Sequence, residues 1–389
     1  MITTGASSLE LTFEAVISGV VYDPTAIQRV NIEVQENKHN LATLDIAGIP
    51  PHVLSDYIDK PIYLKVTVGK VRESHFFGYI VYLEPESQNN LGLVNKSPFQ
   101  TTRVYCLGAS YIMRGKRTAA WNNYTLPQIA KKLAEEYNFT VSVPNDTYPF
   151  PRLVQSGKSD WELLVEAANF LGYSVVMRGT HIDIWDPFAS VSKAKNNIVP
   201  LYAMEGTSGD LRATPGQVVK FHGVMGAVTP MANKNPEIIH ALTTDDSILS
   251  YRKSDTTGFG TEVVSLFQDE IAQNAQSMSM ANAVLQGRSR KKLPYTATVD
   301  AVGDPAIEAG TVVNVTKYNS ALDGLWYVQS ARHEFFRGSA MSYLTLAKDS
   351  NAADYASPTY IATPSVVPPA PVMKRGIWMA ETEMFNVYS

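Results

Sequence analysis

The strongest constraint on this chain is the spacing of its apolar residues, which recur at every second position in short runs through most of both halves. The runs LELTFEAVISGVVY, RVNIEVQEN, PIYLKVTVG, HFFGYIVYLEPE and TTRVYCLGA occupy the stretch from Leu9 to about Cys106. A period of two puts one face of an extended chain into a core and leaves the other in water. Turn residues at Asp23-Pro24, from Gly48 to Pro51 and at Gly69 separate the runs. Five or six strands at this spacing, with no helical period among them, predict a small barrel or sandwich. The polar stretch from Asn89 to Pro98 reads as a surface loop.

The period changes near Thr118. In TLPQIAKKLAEEYNF, Thr125 offers an N-cap, Pro127 falls in the first turn, and Ile129, Ala130, Leu133 and Tyr137 share one helical face. SDWELLVEAANFLGY repeats this grammar: Ser159 or Asp160 caps, Leu163, Leu164, Ala167, Ala168 and Leu171 form the apolar stripe, and Gly172 stops the helix. SVVMRG and HIDIWD follow as a hairpin turning at Gly179-Thr180. Residues 118–196 therefore read as an α+β insert between a first β domain, 1–117, and a second, 197–350.

The second β domain is carried by IVPLYAMEG, QVVKFHGVMG, YTATVDAVG, TVVNVTKYN, LWYVQSARHEFF and AMSYLTLAKD. Thr229 to Lys292 interrupts it with a polar loop, then a helical period through Phe267, Ile271, Ala275, Met278, Ala281 and Leu285 that predicts a long helix near 265–287. The similar size of the two β domains suggests a duplication, although no residue-level repeat is visible. After Asp349 the stretch NAADYASPTYIATPSVVPPAPV has no hydrophobic period and reads as an extended, polyproline-like arm. The arm, 351–389, ends in KRGIWMAETEMFNVYS, which is too apolar for water and too short for a core of its own. Trp378, Met384, Phe385 and Tyr388 are accordingly expected to dock onto the body of the protein or onto a partner. The fold class expected is α+β, mainly β.

Composition narrows the function. With 389 residues, 33 basic and 37 acidic side chains and a net charge of −4, bulk electrostatics give no reason to expect duplex DNA or an anionic membrane as a bound partner. One cysteine, Cys106, excludes an internal disulfide, a CxxC pair and a cysteine-type zinc cluster, and without a basic neighbour other than Arg103 it reads as a buried structural thiol. The opening MITTGASSLELTFEAVIS shows no basic region followed by a long apolar one, and no run of about 18 apolar residues occurs, so a soluble protein folded in a cytoplasm is expected.

Clusters that resemble active sites have simpler readings. His181, Asp183 and Asp186 in HIDIWD supply metal-ligand types, but no further His or carboxylate stands nearby to complete a site. Asp160 and Glu162 flank Trp161 like a glycosidase pair, yet fall in a helix's first turn, where the macrodipole favours acids. Gly206-Thr-Ser208-Gly209 lacks the spacing of a nucleophile elbow. His222 and His333 lie in strand patterns and read as hydrogen-bonded histidines. The basic run from Arg288 to Lys292 reads as cations at a helix C-terminus rather than a nucleic-acid site. No catalytic residue, cofactor or metal is expected.

Two stretches carry a resemblance. QSGKSDWELLVEAANFLGYSVVMRGTHIDIWD, Gln155 to Asp186, is similar to a signature of tail and baseplate hub proteins: a Gln, a Ser-Asp-Trp helix start, a Leu-Leu-x-x-Ala-Ala stripe, Gly-Tyr and a short hairpin. GDPAIEAGTVVNVTKYNSALDGLWYVQSARHEFFRGSAMSYLTLAKD resembles the last barrel segment of such hubs through Gly303, Pro305, Gly310, Val313, Gly324, Val328, His333 and Tyr343. The group includes the phage late control protein D proteins and the base domain of valine-glycine repeat spike proteins. The resemblance implies two tail-tube-like β-barrel domains bracketing the insert, and a homotrimeric ring with pseudo-sixfold symmetry. It further implies a symmetry adaptor between tail tube and central spike, part of the DNA conduit, in a virion tail baseplate assembled in the host cytoplasm. Partners implied are further copies of itself, the tail tube protein, a separate spike protein, and wedge and tape-measure proteins, with DNA only in transit. The chain departs from longer relatives in having no spike after residue 350. A tail-associated cell-wall hydrolase and a carbohydrate- or receptor-binding tail protein, the latter favoured by 20 tyrosines, are the competing readings.

Overall fold

The computed structural model describes residues 10–48, 54–69, 72–86, 101–192, 198–203, 215–225, 248–253, 262–267, 283, 293, 295–316, 323–336, 338–348, 376–378 and 385–387. Seven strands come from the first alternating stretch: β1 (Leu11–Ile17), β2 (Val20–Tyr22), β3 (Ile27–Gln35), β4 (Leu41–Ala47), β5 (Pro61–Val68), β6 (Arg72–Glu86) and β7 (Thr101–Gly108). In β3, Val30, Ile32 and Val34 are buried while Arg29, Asn31 and Glu33 stand on the other face, as the period of two requires. The strands are ordered β2-β1-β5-β6-β7-β4-β3 around one core containing Ile17, Leu44, Ile62, Leu64 and Val104. Ser18 and Gly19, both at positive φ, make the two-residue turn between β1 and β2.

The insert follows. It comprises β8 (Lys116–Trp121), β9 (Tyr124–Thr125), α1 (Leu126–Glu136), β10 (Thr140–Ser142), β11 (Pro149–Phe150), β12 (Leu153–Ser159), α2 (Asp160–Phe170), β13 (Ser174–Arg178), β14 (His181–Trp185) and α3 (Pro187–Ser192). Helix α2 starts on a reciprocal box: the Glu162 amide donates to Ser159 Oγ at 3.1 Å, and the Ser159 amide donates to Glu162 Oε2 at 2.7 Å. At α1 the Thr125 amide donates to Gln128 Oε1 at 2.8 Å. The apolar stripes of both helices, with Trp121, Trp161, Val175 and Ile182, form a core separate from that of the first unit. Gly172, at φ 77°, ends α2, and Gly179, at φ 58°, turns β13 into β14.

The third segment supplies β15 (Ile198–Ala203), β16 (Gln217–Met225), β17 (Ile248–Lys253), β18 (Glu262–Phe267), β19 (Tyr295–Val302), β20 (Val312–Thr316), β21 (Gly324–Phe336) and β22 (Ser339–Lys348), and β23 (Gly376–Trp378) and β24 (Phe385–Val387) follow. Because β21 pairs with both β20 and β22, the order β21-β20-β15-β16-β19-β22 closes on itself into a barrel. Leu201, Val299, Val313, Trp326, Val328 and Leu346 fill it. The first unit and this barrel are not separate sheets: β3 pairs with β21 over seven residues, from Gln35 opposite Ser330 to Arg29 opposite Phe336, so thirteen strands are hydrogen-bonded in sequence.

One expected element changes. The helix predicted near 265–287 does not begin at 265, because Glu262–Phe267 is a strand paired with β17. The adjacent Val263 and Val264 favour extended backbone over helix, and a pairing partner decides the outcome. Ala283 is helical, and 268–282 and 284–292 lie outside the described residues, as do Gly206 to Gly209 and Arg288 to Lys292.

Candidate assembly interface

Among the described residues, the clusters that resemble catalytic chemistry are engaged in holding local structure together. His181 bridges two strands, with Nδ1 2.7 Å from Thr140 Oγ1 and Nε2 2.9 Å from Ser142 Oγ; Asp183 pairs with Arg178, and Asp186 accepts the Ala189 amide at the start of α3. The buried Asp160 carboxylate takes hydrogen bonds from Tyr137 Oη at 2.6 Å and Gln155 Nε2 at 2.8 Å and lies 2.7 Å from Arg117 Nε, whereas Glu162 serves the helix cap. Backbone and side-chain hydrogen bonds from Ser159 hold the Glu162 carboxyl below its usual range. His222 lies 2.8 Å from Asp300 on the neighbouring strand. Burial pushes the Cys106 thiol well above its usual range, as an inert structural cysteine requires.

Ser342, His333 and Asp304 are brought together in the barrel, all buried, but not in the order that nucleophilic catalysis needs. His333 Nδ1 is 2.7 Å from Ser342 Oγ and Nε2 is 2.7 Å from the Ile307 carbonyl, so the carbonyl occupies the nitrogen a carboxylate would orient. The Asp304 carboxylate instead pairs with Arg72 of β6, tying the two β units together. Burial lowers the His333 pKa, the hydrogen bond to Ile307 opposing it. Among the described residues no group of three or more His, Cys, Asp or Glu is placed to hold a metal ion, and no helix is long and apolar enough to cross a membrane.

Three units meet at the turn between β3 and β4. Asn37, at φ 61°, donates its amide to the Val175 carbonyl at 2.8 Å and accepts the Val175 amide on Oδ1 at 3.0 Å, adding itself to the edge of β13. Asn40 Nδ2 donates to the Met177 carbonyl. The His39 ring stacks on Trp161 with centroids 5.5 Å apart, and its Nδ1 lies 2.7 Å from Ser110 Oγ. Beside this turn Tyr327 Oη of β21, fully buried outside the barrel's own core, donates to Glu36 of the first unit and accepts Trp185 Nε1 of the insert at 2.7 Å. Trp185 also closes over Gly310, and Arg178 spans to Glu308 and the Ala309 carbonyl at 3.2 and 2.6 Å. Sequence reasoning missed Glu36, Tyr327 and the seam, because residues about 300 positions apart leave no local period; Trp185 and Gly310 lay inside the resembling stretches.

The seam leaves one broad face turned away from the cores, running from β6 through β7, β4, β3, β21, β22 and β19 to β16. Opposite charges face one another between neighbouring strands in two rows: Glu84, Arg103, Asp45 and Arg29 from β6 to β3, and, four residues along β3, Glu33 beside Arg332, then the neutral Tyr343, then Asp300 beside Lys220. Arg103 forks onto Asp45 at 2.8 and 3.0 Å, and Arg29 reaches Glu334 at 3.2 Å. Three large apolar residues stand out from it, Tyr82 of β6 at 56% exposure, Val219 of β16 at 50% and Leu41 of β4 at 43%. Of the docking residues expected in the C-terminal segment, Trp378 and Phe385 are brought opposite one another by the β23–β24 pairing, and Met384 and Tyr388 lie outside the described residues.

This architecture is shared with solved structures. A tail protein from Neisseria meningitidis MC58 superposes with a TM-score of 0.58 at 11% identity, over 88% of this chain and 98% of that one. The 43 kDa tail protein of prophage MuSo2 from Shewanella oneidensis gives 0.53 at 14%, over 87% and 97%. The chain has the fold of phage tail proteins. The E. coli c3393 protein, described as a type VI secretion component similar in structure to the T4 tail proteins gp27 and gp5, gives 0.50 at 10%, over 84% and 74%. The YQBQ-like family matches residues 263–347, and no curated protein matches the sequence. The mainly β, α+β architecture expected from the sequence is thus the architecture of these tail proteins.

Proposed function

We propose that this chain is a structural hub of a phage or phage-like tail baseplate: three copies form a ring that joins the sixfold tail tube to a separate threefold spike and encloses part of the DNA conduit. The observation that carries the reading is the seam. Two β units lie side by side in one continuous hydrogen-bonded sheet, so each chain presents two tube-like units, and three chains present six. The likeness in fold to tail proteins over nearly the whole chain supports it. The role is geometric and mechanical, without catalytic turnover: the polar clusters that resemble active sites bind elements to one another. A wall of alternating charge suits a passage that must not retain a polyanion.

Co-expression with the tail tube and spike proteins of the same tail tests the reading. A complex in which this protein bridges the two is expected; a protein that binds neither, or that clears peptidoglycan in a zymogram, would overturn it.

A further inference from the structure

Tyr82 and Val219, the two most exposed of the three large apolar residues on the open face, stand at equivalent places. In the closed barrel, β16 is the third strand from the seam strand β21 by either route, and in the first unit β6 is the third strand from β3. Each residue is at a β-bulge. Val219 is the extra residue between Val218 and Lys220 in the pairing with β19, and Tyr82 follows the extra residue Val81 in the pairing with β7. Bulges at a rim re-aim side chains and interrupt regular pairing.

The two are also level. The register from Tyr82 across β7, β4, β3, β21 and β22 arrives on β19 at Val302, the neighbour of Ala301, which pairs with Val218. The charges beside them are complementary: Glu84 accompanies Tyr82, and Lys220, exposed, accompanies Val219. Placing the β16 end of one open face against the β6 end of another continues the alternation, with Asp300 and Lys220 of one copy followed by Glu84 and Arg103 of the next.

We infer that the bulge at Val219 and Lys220 of one copy packs against the bulge at Tyr82 and Glu84 of the next, a head-to-tail contact between copies of this chain that carries the sheet face around the ring. This rests on the ring reading above and names the residues that join its members. The contact is heterologous, two different patches meeting, which is what a closed ring of three needs and a twofold dimer does not.

Tyr82→Cys and Val219→Cys test it in the full chain, where the only native thiol, Cys106, is buried. On mild oxidation the double variant should give covalent trimers on a denaturing gel, a mixture of the two single variants should give covalent dimers, and each single variant alone should give neither. A second pair tests the charges: Lys220→Glu or Glu84→Lys should each shift assembly to about fivefold higher concentration, and the two together should restore it. Three-copy particles with no cross-link in the double variant would overturn this contact and leave the ring reading standing. Cross-linking of Tyr82→Cys to itself would overturn the head-to-tail geometry. A wild-type protein that is monomeric by light scattering would overturn the ring itself, and this contact with it.

Discussion

At the scale of single residues, buried polar side chains hold the units in register, and two of them give measurable predictions. Burial holds the His333 imidazole below its ordinary 6.5. In the unfolded chain it titrates near 6.5, so below that pH the folded state takes up the proton less readily than the unfolded one. Its contribution to stability is therefore intact above about pH 6.5 and is lost as the pH falls further. The urea midpoint should drop from pH 7.5 to pH 5.5, and His333→Gln should flatten part of that drop, with His39, also lowered by burial, retaining its share; an unchanged pH slope in the variant would contradict the assignment. Tyr327→Phe removes the acceptor of the Trp185 indole N–H and the donor to Glu36 in a fully buried place, a loss of about 1–3 kcal/mol readable by denaturant unfolding. The role of Tyr327 was not legible in the sequence, and that of His333 only in kind. His333 was read as a hydrogen-bonded strand histidine, which its Ser342 and Ile307 partners match, but a sequence does not say which distant carbonyl meets which ring nitrogen.

At the scale of elements, the local rules read well where the partner is near in sequence. Alternation marked the strands from β1 to β7, and the caps at Thr125 and Ser159 and the stop at Gly172 lie where the residue types placed them, because caps and turns are settled within a few residues. The start of the helix expected near 265–287 failed for the opposite reason. The period runs on from Phe267, but pairing with Ile248–Lys253 makes Glu262–Phe267 a strand, and pairing is not a local property. The turn at Gly310 shows how one element holds another: it has φ 89°, and a Cβ there would come 2.6 Å from the Trp185 ring. Gly310→Ala should therefore cost about 2 kcal/mol or more, seen as a lower melting temperature and as faster proteolysis of the insert. Full retention of both would show that Trp185 does not hold the insert against the barrel.

At the scale of the whole molecule, the organising feature is the pairing of Ile27–Gln35 with Gly324–Phe336, which joins the first and last β segments while the insert projects between them. A chain order of β, α+β, β was legible from periodicity; the edge-to-edge union was not, since strands that far apart share no local signal. The likeness to tail proteins reaches this scale too, as it spans nearly the full chain in the Neisseria and Shewanella structures. The arm belongs here as well. Removing residues 364–389, with Trp378, Met384, Phe385 and Tyr388, should weaken trimers or abolish spike attachment in a pull-down, and unchanged assembly would show that the segment is not an anchor. The central claim is that three such chains close a ring. Native mass spectrometry of the purified protein tests it most directly: the account predicts a particle of three times 42.8 kDa, and a monomer or a twofold dimer at micromolar concentration would contradict it.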